Sequence, residues 1–232
     1  MFDFQAENMS KNLPSLAVFL HGYNGTIEDH AYIINHLKKH LSNSILIIPE
    51  APEICDKNQN KRQWFGLKKY DADDLRYQED TPTEQIFEIY NRASAEISFR
   101  SAEINDFVAQ MQQKYQISAK NTFLIGFSQG AMLALYSGLS ASKTYGGIFM
   151  LSGLVAGADE LSKNINSKPS TYLFHGQKDA KVQYKTLSST AHWLEEYGID
   201  FQTFIYPELA HKVIEDEIIK ISEIIKQKTA EK

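Results

Sequence analysis

The chain has 232 residues, of which 43% are apolar and 23% charged, with 24 Lys and Arg against 29 Asp and Glu and a net charge of −5. That apolar share excludes a disordered chain, a single cysteine excludes an internal disulfide framework, and the acidic balance speaks against a nucleic-acid partner. A chain this long buries roughly 70% of its unfolded surface on folding, and without a repeat, linker or composition break residues 1–232 read as one domain.

No stretch approaches the ~20 apolar residues that span a bilayer. The start, Met1-Phe2-Asp3-Phe4-Gln5-Ala6-Glu7, has neither the basic end and apolar run of a secretory leader nor the glycine after the initiator that myristoylation needs. These readings predict a cytoplasmic protein without a membrane anchor.

Along the chain, short apolar runs alternate with helical patterns. Leu16-Ala17-Val18-Phe19-Leu20 reads as a buried strand, followed by a turn over Gly22 to Gly25. Ile33, Ile34, Leu37 and Leu41 recur at spacings of three and four, which is one helix face. Ile45-Leu46-Ile47-Ile48 is a second strand, closed by Pro49 and Pro52, and residues 53–85 read as polar and irregular. Helical periodicity returns at Ile104, Phe107, Val108 and Met111, before a third strand at Thr122-Phe123-Leu124-Ile125. A helix follows through Met132, Leu133, Leu135 and Tyr136, then strands at Ile148–Leu151 and Tyr172–Phe174. Leu187, Ala191 and Leu194 mark another helix, Phe201–Ile205 another strand, and Ile214, Ile218, Ile221 and Ile225 the stripe of a last helix. Strands joined through helices imply a mostly parallel sheet with helices on both faces, and ligands in such sheets sit beyond the carboxyl ends of the strands.

The loop after the third strand is Gly126-Phe127-Ser128-Gln129-Gly130, a Gly-x-Ser-x-Gly between a strand and a helix. That is the setting of a nucleophile elbow, where a strained serine projects its hydroxyl above the sheet and the flanking glycines avoid collision. The serine needs a base, and neutral imidazole serves near pH 7. Of seven histidines, only His211 follows the final strand, where this chain order puts the base. His36 and His40 read as surface residues of the first helix, His30 and His192 likewise, and His21 and His175 as packed at strand ends. Asp179, after the strand ending at Phe174, is the carboxylate placed to orient His211; Asp200 starts a strand and Glu208 lies three residues from His211. Backbone N–H groups of Gln129 and Tyr23 are the candidates to bind an oxyanion. No His or Cys cluster reads as having ligand spacing, so no metal is expected.

These stretches, with Phe19-Leu20-His21-Gly22, Pro49-Glu50-Ala51-Pro52, Trp64-Phe65, Leu151-Ser152-Gly153 and His175-Gly176, resemble the phospholipase/carboxylesterase family of α/β-hydrolases, which includes acyl-protein thioesterases. The resemblance implies a single-domain α/β-hydrolase without a large lid, a Ser128–His211–Asp179 triad and no cofactor. It implies hydrolysis of esters or thioesters of small to medium acyl groups through an acyl-serine intermediate. The substrate would be a small-molecule ester or an acylated partner, and the enzyme a monomer or weak homodimer. An amide or peptide hydrolase on the same residues, or a silent binding module, are the alternatives. Trp64 and Phe65, with Leu154 and Val155, are the candidate walls of an acyl groove, and the polar residues 66–100 a possible flap.

Overall fold

In a computed structural model, which describes residues 2–8 and 13–230, the strands and helices alternate along most of the chain. Met1, the first residue of the stretch read for a leader, lies outside the described residues. Strands β1 (Phe4–Glu7), β2 (Ser15–Leu20) and β3 (Ser44–Pro49) flank helix α1 (Ala31–His40). A hairpin of β4 (Glu53–Cys55) and β5 (Asn58–Gln63) follows, then helices α2 (Thr83–Arg92) and α3 (Ser94–Tyr115). The second half runs β6 (Thr122–Phe127), α4 (Gln129–Ser140), β7 (Gly147–Leu151), α5 (Ala158–Leu161), β8 (Thr171–Gly176), α6 (Thr186–Glu196), β9 (Phe201–Tyr206) and α7 (Glu215–Ala230).

The central sheet has seven strands in the order β1-β3-β2-β6-β7-β8-β9. Every pair is parallel except β1 on β3, which is antiparallel with Phe4 opposite Pro49. Both faces of the sheet are covered, which is why β2, β3, β7 and β8 are buried along their whole length. Successive residues of β2 serve opposite faces. Leu16, Val18 and Leu20 join the core shared with α2 to α6, while Ala17 and Phe19 join the core under α1 and α7. Among the described residues no helix is long and apolar enough to cross a membrane.

Residues 53–85 are less irregular than their polarity suggests. They contain the β4–β5 hairpin, whose exposed strand β5 has too few apolar residues to announce itself, and the start of α2. In the 66–100 segment Ile86, Ile89, Tyr90, Ala93 and Ile97 are all buried in the core, so α2 and the first turn of α3 are anchored rather than free-standing. β1 is also absent from the sequence reading, because its four half-buried residues carry no alternation to detect.

Helix α7 begins with a buried carboxylate. Glu217 reaches back from the third helical position to accept the Ile214 N–H at 2.9 Å, one arm of a capping box. Its other oxygen is buried without a partner. Burial therefore pushes its pKa up to about 7, against the Ile214 hydrogen bond and with the Asp216 charge. The folded state thus holds a proton that the unfolded state releases between about pH 4.5 and about pH 7, and this group loses stabilising effect as pH rises through that window. Glu217→Gln should gain stability relative to the wild type across the window, by up to roughly 3 kcal/mol, and the difference should level off above it. Urea denaturation of both proteins over a pH series checks this; a difference that does not change with pH would contradict it.

Candidate active site

The Gly-x-Ser-x-Gly sequence forms the turn from β6, ending at Phe127, into α4, starting at Gln129. Ser128 stands between them at φ 55° and ψ −119°, a conformation that persists in an L residue only when its surroundings impose it. Both glycines show what imposes it. A Cβ on Gly126 would lie 2.2 Å from the Gly130 carbonyl oxygen, and a Cβ on Gly130 would lie 2.1 Å from the Leu20 carbonyl oxygen. The helix start is thus pressed against the end of β2, and Ser128 is tied to the neighbouring strand by its N–H, which donates to the Leu151 carbonyl at 2.9 Å.

His211 lies in the loop between β9 and α7, with Nε2 3.0 Å from Ser128 Oγ and Nδ1 2.8 Å from Asp179 Oδ2. The Phe127 ring lies against the imidazole, centroids 4.8 Å apart. Asp179 is buried in the turn after β8, where Oδ1 accepts the N–H groups of Lys181 at 2.8 Å and Val182 at 3.0 Å. Burial opposes its ionisation, but the hydrogen bond and charge of His211, with the Lys181 N–H, outweigh it and hold Asp179 below the usual carboxylate range. An ionised Oδ2 fixes the imidazole proton on Nδ1 and leaves the Nε2 lone pair for the Ser128 hydroxyl; this tautomer is assigned from the partners. Buried His175 donates from Nε2 to the Val182 carbonyl at 2.8 Å, and burial pushes its pKa down. Asp200 immediately precedes β9 at the opposite edge of the sheet, and exposed Glu208 pairs with Lys178.

Gln129 N–H is the first of α4 and has no carbonyl within the helix to receive it. Across the cleft, the turn after β2 carries Tyr23, with Asn24 beside it at φ 57°. This turn is held by two histidines. Gly22 N–H donates to His30 Nε2 at 3.2 Å, and His30 Nδ1 in turn donates to the Thr26 carbonyl at 2.8 Å. His21 donates from Nδ1 to the Gly22 carbonyl at 2.9 Å and accepts Ala51 N–H at Nε2, 3.0 Å away. Burial pushes the His30 pKa down, which keeps it the neutral acceptor that Gly22 needs. The sequence reading gives His30 no such role, because the amide it holds is eight residues away and no local pattern links them.

Tyr23, Gln129, Ser128 and His211 share a cleft of ≈ 280 Å³, walled further by Leu67, Met132, Tyr77 and Lys181. Trp64 and Phe65 do not line it, nor do Leu154 and Val155: all four are buried in the core. The reason is a set of hydrogen bonds that face the aromatic pair inward. The Gln129 side chain accepts Trp64 N–H at 2.9 Å and donates to the Phe65 carbonyl at 2.8 Å, Trp64 Nε1 donates to the His21 carbonyl at 2.8 Å, and Arg100 Nε donates to the Trp64 carbonyl at 2.9 Å. A broader groove of ≈ 850 Å³ between α2 and α6 shares no residue with the Ser128 cleft.

The phospholipase/carboxylesterase family pattern matches residues 4–229. The chain belongs to that family. Its similarity to individual members is distant: 24% identity over 224 residues to acyl-protein thioesterase 1 of Gibberella zeae, covering 90% of this chain and 88% of the relative. Carboxylesterase SOBER1 of Arabidopsis thaliana is 27% identical over 196 residues, 81% of this chain and 78% of that protein. Among solved structures, esterase PE8 superposes with a TM-score of 0.79 at 25% identity over 97% of both chains. Arabidopsis thaliana SOBER1 shares the fold with a TM-score of 0.77 at 24% identity, over 92% of this chain and 98% of that one. For this phospholipase/carboxylesterase chain, the Gln129 bridge gives a physical reason for Trp64-Phe65 and Gly-Phe-Ser-Gln-Gly to occur together: the glutamine of one motif satisfies the backbone of the other.

Because Trp64 is buried and hydrogen-bonded beneath the cleft, Trp64→Ala should cost roughly 3–5 kcal/mol of stability. Any loss of kcat/KM should be equal for acetyl and octanoyl esters. A loss confined to the longer ester, at unchanged melting temperature, would return Trp64 to the acyl groove.

Proposed function

We propose that this chain is a serine hydrolase that cleaves carboxylic esters or thioesters of small to medium acyl groups through Ser128, His211 and Asp179. The observation that carries the proposal is the hydrogen-bonded run from Ser128 Oγ through His211 to Asp179, at 3.0 and 2.8 Å, on a serine held at positive φ. His211 Nε2 takes the Ser128 proton as Oγ attacks the acyl carbon, and Asp179 stabilises the imidazolium that forms. The negative charge on the former carbonyl oxygen falls to the N–H groups of Gln129 and Tyr23, with the N-terminal end of α4 adding its dipole. His211 then gives the proton to the departing alkoxide or thiolate, leaving acyl-Ser128. Water, deprotonated by the same imidazole, attacks the acyl carbon; the acyl–Oγ bond then breaks, Ser128 Oγ takes the proton back from His211, and the carboxylic acid leaves.

The cleft's volume of ≈ 280 Å³ supports an acyl group of modest length. The names of the relatives, thioesterase and carboxylesterase, support the choice of bond. The run from Ser128 through His211 to Asp179 closes within one chain and needs no residue of a second copy, and the proposed enzyme acts as a monomer or weak homodimer. The cytosol is the proposed place of action, a reducing compartment suited to a lone buried thiol such as Cys55.

Ser128→Ala should lower kcat for p-nitrophenyl esters by about 10³-fold or more with the fold intact. Asp179→Asn should cost on the order of 10⁴-fold, because the amide favours the wrong imidazole tautomer. Matched anilides should turn over far more slowly than esters. A folded Ser128→Ala protein retaining more than roughly a tenth of wild-type turnover would overturn the assignment.

A further inference from the structure

On the far face of α1, His36 and His40 stand one helical turn apart and both face Glu215, the first residue of α7. His40 Nε2 lies 2.8 Å and His36 Nδ1 3.1 Å from the same carboxylate oxygen, Oε1, and Lys39 Nζ also reaches that oxygen at 2.8 Å. Three nitrogens thus converge on an atom with two lone pairs, and one is left over. It is His36 Nδ1, a buried ring nitrogen that makes no hydrogen bond despite its proximity. A bare Nδ1 lone pair facing an anionic oxygen is repulsive, and either a proton or a metal ion between them removes the repulsion. The donor atoms of His36, His40 and Glu215 all lie within 4.8 Å of one another. Tetrahedral zinc, with bonds of about 2.0–2.1 Å, places its donors about 3.3 Å apart, so the two histidine–carboxylate distances change by only a few tenths of an ångström and the two ring nitrogens, within 4.8 Å of each other, close by at most about 1.5 Å.

We infer that His36, His40 and Glu215 form a binding site for a divalent transition-metal ion, Zn²⁺ best matching the donors, that clamps α1 to α7. Two imidazoles with one carboxylate suit zinc, whereas calcium and magnesium take shells of oxygen. The His36 and His40 side chains are only 21% and 20% exposed, and the ring of Tyr32 lies 4.4 Å from that of His36, which limits its movement. Lys39, 65% exposed, is free to turn to solvent as the metal takes its place on Oε1. A fourth position remains for water. The absence of ligand spacing in the sequence reading is corrected here: His36 and His40 are four apart on one helix face, a ligand spacing in its own right.

The site lies apart from Ser128, so its test is independent of the proposed hydrolysis. Zinc chloride titrated into the EDTA-treated, dialysed protein, followed by calorimetry, should show one saturable site, and magnesium chloride none. Zinc should raise the melting temperature and EDTA reverse the rise. Co²⁺ should give the visible d–d absorption of a tetrahedral nitrogen–oxygen site. His40→Ala and Glu215→Gln should each weaken zinc binding by at least about tenfold, the loss seen even for residues that only support metal ligands. His192→Ala should bind as the wild type does. Absence of saturable zinc binding, or equal binding by the wild type and both folded ligand variants, would overturn the site.

Discussion

Two backbones approach each other where α4 meets the end of β2, and the rest of the structure is arranged around that contact. The approach is possible because Gly130 has no side chain: any Cβ there would lie 2.1 Å from the Leu20 carbonyl oxygen. With the helix seated so close, the chain can leave β6 only by a turn that puts Ser128 at φ 55°. The strain is met by strand and helix bonds on either side, including Ser128 N–H to Leu151 and the first carbonyl–amide bonds of α4. Position and direction of the hydroxyl therefore follow from the packing of the sheet, and the loop has little freedom to choose them.

The same contact gathers the parts contributed by distant segments. Gln129 occupies the first turn of α4, so its side chain meets the Trp64-Phe65 backbone, and through Trp64 the stretch reaches both Arg100 and the His21 carbonyl. The turn after β2, held by His21 and His30, lies on the other side of the cleft. Arg62 N–H donates to Gly25 at 3.2 Å, so β5 supports that turn as well. A polar hairpin far from Ser128 in sequence thus braces the backbone beside it. The cleft itself mixes polar Asn24, Lys57, Arg76 and Lys181 with Tyr77, Tyr90, Leu67 and Met132.

Much of this was legible in the sequence. β2, β3, β6, β7 and β8 announced themselves as apolar runs because they are covered on both faces, and the glycines around Ser128 marked a turn whose geometry is local. The order of Ser128, Asp179 and His211 along the chain placed each after a parallel strand, and parallel strands carry their following loops to one edge. What was not legible depended on partners far apart in the chain. Trp64 and Phe65 looked like groove walls because an aromatic pair in a loop carries no sign of which way it faces, and that direction is set by Gln129, 65 positions on from Trp64. The β4–β5 hairpin was hidden by its polarity. The spacing of His36 and His40 was in plain view, but the carboxylate that gives it meaning is 175 positions away from His40.

Covalent labelling tests the central claim most directly, because only an activated serine attacks a fluorophosphonate at neutral pH. The native chain should be incubated with such a reagent, digested, and its peptides mapped by mass spectrometry. The account predicts a single stoichiometric adduct on Ser128, absent when the protein is unfolded before labelling. Ser152, which also has positive φ, at 50°, serves as the internal control. No adduct on the folded protein, or an adduct on Ser152 in place of Ser128, would contradict it.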